Sequence, residues 1–164
     1  MMENNIKKAI FASGCFWGTQ YYFDKLPGVI STQVGYSGGK VDNPTYEQVS
    51  TGGTGYVESV EVTYDAEKVT YEELTKYFFE THNPEQYGGQ GPDIGDQYRS
   101  VIFYANKDEK MIADNLIDQL IHKGLDIATI VEPAGKFWPA EDYHQKYYEN
   151  KGGTPYCHIY RKLF

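Results

Sequence analysis

Residues 56–64, Tyr-Val-Glu-Ser-Val-Glu-Val-Thr-Tyr, alternate in character. Such a segment reads as a strand with one side against a core, because successive side chains point to opposite faces of a sheet. Tyr56, Glu58, Val60, Val62 and Tyr64 share one face; Val57, Ser59, Glu61 and Thr63 share the other. The first face is the more apolar and should point inward. Glu58 then points inward too, while Glu61 points to water. A buried carboxylate is costly unless it is paired or protonated. One reading is a salt bridge to a nearby Lys or Arg, or a strand end that leaves Glu58 exposed. The other is a carboxylic acid held neutral by desolvation and ready to give a proton.

Other segments supply what this strand packs against. After a loose tail over residues 1–5, Lys7–Ser13 reads as a strand. Cys15–Lys25 reads as a helix stopped by Pro27-Gly28. Val29–Tyr36 is a second strand. Ser37–Gly55 is a long loop with one helical turn near Tyr46–Val49, and Tyr56–Tyr64 is the third strand. Thr70 and Glu73 form a capping box for a helix over Tyr71–Thr81. His82–Gln97 is a second long loop, followed by a strand over Ser100–Ala105. Asp108–Lys123 is a helix closed by Gly124. Ile127–Glu132 is a fifth strand, and Pro139–Asn150 a last helix closed near Gly152. Strands separated by helices, with two hairpin-like returns, argue for an α+β fold. It is expected to be a two-layer α/β sandwich, a mixed sheet with helices packed on it. Residues 1–164 are read as a single domain, with the site expected in the long loops and the tail.

Composition excludes several classes. The net charge of −8 repels phosphate backbones, so nucleic acid is an unsuitable partner. No apolar stretch is long enough to span a bilayer, so no membrane is expected. Lys7 and Lys8 before Ala9-Ile10-Phe11-Ala12 and Gly14-Cys15 imitate a lipoprotein signal, but the apolar run is too short. The expected location is the cytoplasm, where Cys15 and Cys157 rest as thiols. They form no C-x-x-C pair. His82, His122, His144 and His158 have no ligand spacing, so neither a metal nor another cofactor is expected.

Cys15 follows a strand and starts a helix between Gly14 and Gly18. Helix-start N–H groups and the helix dipole favour negative charge there, which makes a thiolate nucleophile. The glycines would let a substrate approach the backbone. Phe16 and Trp17 are either core or the wall of an apolar pocket beside the sulfur. Asp93 and Tyr98, in a polar glycine-punctuated loop, could bond a substrate's backbone or belong to an ordinary turn. Cys157 follows Gly152-Gly153-Thr154-Pro155-Tyr156, where a thiol could swing to an oxidised partner or have no role. Read this way, the residues leave open a peroxidase, a cysteine hydrolase or a non-catalytic peptide-binding module. A hydrolase needs a His base beside Cys15, and none is obviously placed for it.

The ordered motifs are more specific. Gly14-Cys15-Phe16-Trp17-Gly18 resembles the active-site signature of the type A peptide methionine sulfoxide reductases. The resemblance continues through residues 35–39, 43–46, 55–58, 64–65, 82–84, 95–100 and 137–145 to Tyr156-Cys157, and so covers essentially the whole chain. It implies reduction of the S epimer of methionine sulfoxide, each reductase type taking one epimer. The implied roles are Cys15 as nucleophile and Glu58 as proton donor, with Tyr46 and Tyr98 as further donors. Phe16 and Trp17 would hold the methyl group, and Asp93 the substrate's main chain. Cys157 would resolve the Cys15 sulfenic acid to a disulfide, for thioredoxin to reduce. A monomer is the default expectation. Gln20, Tyr56, Pro92 and Asp96 depart from the family pattern, which bears on pH dependence and substrate preference.

Overall fold

The computed structural model describes residues 5–156 and 158–164. Among them, a six-stranded sheet runs in the order β7-β6-β1-β3-β2-β8. Its strands are β1 (Ile6–Ser13), β2 (Val29–Ser37), β3 (Val57–Asp65), β6 (Ser100–Tyr104), β7 (Ile130–Pro133) and β8 (Trp138–Pro139). Neighbours are antiparallel except β6 and β7, which are parallel. A separate two-stranded ribbon pairs β4 (Gly89–Gln90) with β5 (Asp93–Ile94). The helices are α1 (Phe16–Phe23), α2 (Tyr46–Ser50), α3 (Tyr71–Glu80), α4 (Lys107–His122) and α5 (Tyr147–Lys151). The mixed sheet with helices packed on it is the expected α+β architecture.

One cluster joins the sheet to its helices. Phe11, Val34, Tyr36, Val60, Val62 and Ile102 meet Phe16 and Phe23 of α1, Leu74 and Phe78 of α3, and Leu116 and Leu120 of α4. Phe11 is fully buried at the centre, with Phe23, Tyr71 and Phe78 stacked round it at 5.3–5.9 Å. The inward face of β3 is as expected: Tyr56, Glu58, Val60, Val62 and Tyr64 are all buried. The opposite face is only partly solvated. Val57 and Ser59 are buried too, because Val57 joins Ala12, Val101 and Phe103 in a second, smaller cluster.

Local signals hold where the chain closes its own hydrogen bonds. Thr70 and Glu73 form the expected capping box on α3, and Gly124 ends α4 with a left-handed φ of 95°. The expected helix over Pro139–Asn150 is not formed. Trp138 and Pro139 instead extend the sheet against Tyr36 and Gly35, followed by a 3-10 turn at Asp142–His144 and the short α5. The cause is tertiary. The Gln145 side chain bonds both backbone groups of Val34, and Lys146 is left-handed with its N–H on Gln20 Oε1. Ile127–Thr129 likewise stay outside β7, with Ala128 N–H on Pro84 O. The expected loop 82–97 contains the β4–β5 ribbon.

Phe11→Ala should cost about 3–5 kcal/mol, the range for emptying a buried aromatic site. Urea unfolding at equilibrium reads this. A loss below about 1 kcal/mol would mean that the core closes over the gap.

Candidate active site

Cys15 stands at the turn from β1 into α1. It is the N-cap residue, with φ −55° and ψ 120°, and it is buried. Its carbonyl accepts from Gly18 N–H at 3.1 Å and Thr19 N–H at 3.3 Å, so the first turn is closed. The N–H of Phe16 is one of the amides a helix start leaves over. It donates to Glu58 Oε1 at 3.2 Å. That bond ties the residue after Cys15 directly to β3.

Glu58 is 1% exposed, and no salt-bridge partner faces it among the described residues. Its Oε2 has no hydrogen-bond partner among the described residues. Burial pushes the carboxyl up to about 8; the Phe16 N–H opposes this and the negative charge of Asp93 adds to it. The salt-bridge reading therefore gives way to the neutral acid.

Two tyrosines complete the cluster. Tyr46 opens α2, and Tyr98 ends the 3-10 turn Asp96–Tyr98. Both hydroxyls are raised, first by burial and next by the charge of Glu58, and both sense Cys15. Tyr98 also senses Tyr46 and Asp93. The expected residues Cys15, Glu58, Tyr46, Tyr98 and Asp93 thus share one electrostatic neighbourhood. Asp93, on β5, accepts from the Tyr156 hydroxyl at 2.9 and 3.1 Å.

Phe16 is fully buried, tilted against Tyr36 and His144. Trp17 is half-buried and stacked on Tyr147, with centroids 3.7 Å apart and planes 6° apart. Its indole N–H donates to His144 Nδ1 at 3.0 Å. Cys157 lies outside the described residues.

Three supporting residues escaped the sequence reading. Glu141 accepts from the Tyr36 hydroxyl at 2.9 Å and the Tyr46 N–H at 3.1 Å. Burial pushes its carboxyl up, but its own backbone N–H, that of Tyr46 and the Tyr36 hydroxyl outweigh this and hold it below the usual range. His144 joins Trp17 and Tyr46, its ring 4.4 Å from the Tyr46 ring. Burial lowers its proton affinity, with Glu141 acting against. His158 packs on Gly18 and faces the Ser13 carbonyl through Nε2 at 2.6 Å; burial brings it down to about 4. A histidine therefore does sit beside the Cys15 turn. The motif around Glu141 and His144 was legible, but its role depends on the break in the expected helix.

The flanking glycines serve the protein's own packing. A Cβ at Gly14, where φ is 93°, would lie 2.5 Å from Gln90 Cβ, and one at Gly18 would strike the His158 ring. The neighbours are thus side chains of this chain, where the sequence suggested room for a substrate. Among the described residues no group of three or more His, Cys, Asp or Glu could hold a metal ion, and no helix is long and apolar enough to cross a membrane.

A family model described as peptide methionine sulfoxide reductase matches residues 7–164. The chain is 46% identical over 154 residues to peptide methionine sulfoxide reductase MsrA of Methanoculleus marisnigri, covering 92% of this chain and 94% of that one. It resembles the crystal structure of reduced Mxr1 from Saccharomyces cerevisiae, with TM-score 0.89, 33% identity and 96% and 93% coverage. It also resembles Mxr1 in complex with Trx2, with TM-score 0.64, 25% identity and 96% and 91% coverage.

Glu58 should make stability fall with rising pH. Its carboxyl binds a proton more tightly folded, at about 8, than unfolded, near 4.5. The stabilising contribution is full below the lower value and lost through the higher one. Glu58→Gln should therefore gain on wild type by a few kcal/mol between about pH 5 and 9. Urea unfolding across that range checks this, and a pH-independent difference would contradict it.

Proposed function

This chain belongs to the type A peptide methionine sulfoxide reductase family, and we propose that Cys15 is the thiol with which it reduces the S epimer of methionine sulfoxide. The observation that carries the proposal is the Phe16–Glu58 bond, which holds a buried acid against the start of the nucleophile's helix. A sulfoxide oxygen leaves poorly unless it is protonated, so the thiolate needs an acid beside it. In this reading the Cys15 sulfur attacks the sulfoxide sulfur while Glu58 gives its proton to the oxygen. Tyr46 and Tyr98 donate to the same oxygen. Phe16 and Trp17 receive the methyl group, and Asp93 takes the main-chain amide. The net step moves the oxygen onto Cys15. Methionine leaves, the sulfoxide sulfur is reduced, and Cys15 becomes a sulfenic acid.

Cys157 then resolves that acid to a disulfide, and thioredoxin returns both thiols. The Mxr1–Trx2 complex supports a thioredoxin-type reductant. We read residues 1–164 as one catalytic domain, working as a cytoplasmic monomer without a cofactor. Protein-bound methionine sulfoxide is the substrate class, and the free amino acid fits the same groups.

Fully reduced protein mixed with each epimer of a blocked methionine sulfoxide, without reductant, tests this. The expected result is about one methionine per chain, from the S epimer alone, with loss of both thiols. Methionine with one thiol kept would remove Cys157 from the mechanism. No methionine from either epimer would sink the reductase reading. The rate should fall as pH rises through about 8, where Glu58 loses its proton. Glu58→Gln should lower the rate about a hundredfold or more, the scale of a lost general acid; a variant within about twofold of wild type would exclude that role.

A further inference from the structure

The residues on either side of Cys157 in sequence are each tied to the site. His158 is 1% exposed, and its Nε2 lies 2.6 Å from the Ser13 carbonyl and 3.4 Å from Thr19 Oγ1. Its ring rests on Gly18. Tyr156 is different: it is 61% exposed, and its hydroxyl donates to both oxygens of Asp93. One anchor is therefore buried in the packing round α1, and the other sits at the surface on a carboxylate. An exposed hydrogen bond exchanges readily with other donors. A substrate main-chain N–H is such a donor, and under the proposed function Asp93 is where it binds.

We propose that Tyr156 is a positioning residue for the resolving step, its hydroxyl and the substrate taking turns on Asp93. This rests on the reading of Cys157 as the resolving thiol. Substrate displaces the hydroxyl; departure of methionine restores it, and with it the tail's attachment next to Cys157 in sequence. The Cys157 thiol then attacks the Cys15 sulfenic sulfur. A sulfur–sulfur bond forms, the Cys15 sulfur–oxygen bond breaks, and the oxygen leaves as water with the thiol proton. The Cys157 sulfur is oxidised as the sulfenic sulfur is reduced, so no outside oxidant enters. His158 serves as the fixed end, and the exchange takes place at Tyr156.

The test compares wild type with Tyr156→Phe, which keeps the ring and removes only an exposed hydroxyl. Single-turnover mixing with blocked S-methionine sulfoxide gives methionine, sulfenic acid trapped by a cyclic 1,3-dione, and remaining thiols over time. In the variant, methionine formation should half-saturate at about fivefold lower substrate concentration and disulfide formation should be about fivefold slower, the factor one net hydrogen bond supplies. Trapped sulfenic acid should rise accordingly. A general structural defect would raise the half-saturating substrate concentration while slowing the disulfide step, so a lowered half-saturating concentration beside a slowed disulfide step identifies the exchange. A variant matching wild type in both overturns the proposal alone. A wild type that forms methionine yet keeps one thiol overturns the Cys157 reading and the proposal with it.

Discussion

The hydrogen bond from the Phe16 amide to Glu58 fixes the distance between the start of α1, where Cys15 stands, and the buried acid of β3. It spends a helix-start N–H, which needs an acceptor anyway, on a carboxyl that burial would otherwise make costly. A full charge on Glu58 would need more than this one donor, since its second oxygen has no partner among the described residues. The fold thus supports a neutral acid better than a carboxylate. Glu58 is also held from β2, where Tyr36 stands opposite it in the ladder.

A second polar centre keeps the surroundings of that acid in place. Glu141 takes the Tyr36 hydroxyl with one oxygen and the Tyr46 amide with the other. It therefore ties the strand beside Glu58 to the helix that carries Tyr46. His144 continues the arrangement to Trp17 and, across its ring, to Phe16 and Tyr46. Both residues occupy the irregular segment between β8 and α5. An unbroken helix there could not cap β2 through Gln145 and also accept a left-handed Lys146.

Sequence was informative wherever one element decided its own structure. The alternation in residues 56–64 gave the inward face of β3 and the burial of Glu58. Thr70 with Glu73 and the stop at Gly124 were readable for the same reason. What could not be read depends on distant partners. The 139–150 segment has helical character, yet its hydrogen bonds go to Val34 and Gln20. Gly14 and Gly18 looked like room for a ligand, and their neighbours Gln90 and His158 come from far along the chain. The roles of Tyr46, Tyr98 and Asp93 came from family resemblance, because a loop's sequence does not say which carboxyl it will face. The fold brings the charges of Glu58 and Cys15 to bear on both tyrosine hydroxyls, and that of Asp93 on Tyr98.

The proposed proton transfer requires Glu58 to be protonated in the resting protein at neutral pH. Infrared difference titration, with Glu58→Gln as the blank, observes the carbonyl stretch of a neutral carboxyl directly. The expected result is a band, lost in Glu58→Gln, that persists at pH 7 and disappears around pH 8. A band already gone near the ordinary carboxyl range, about pH 4 to 5, would show an ionised Glu58 and contradict its role as the acid.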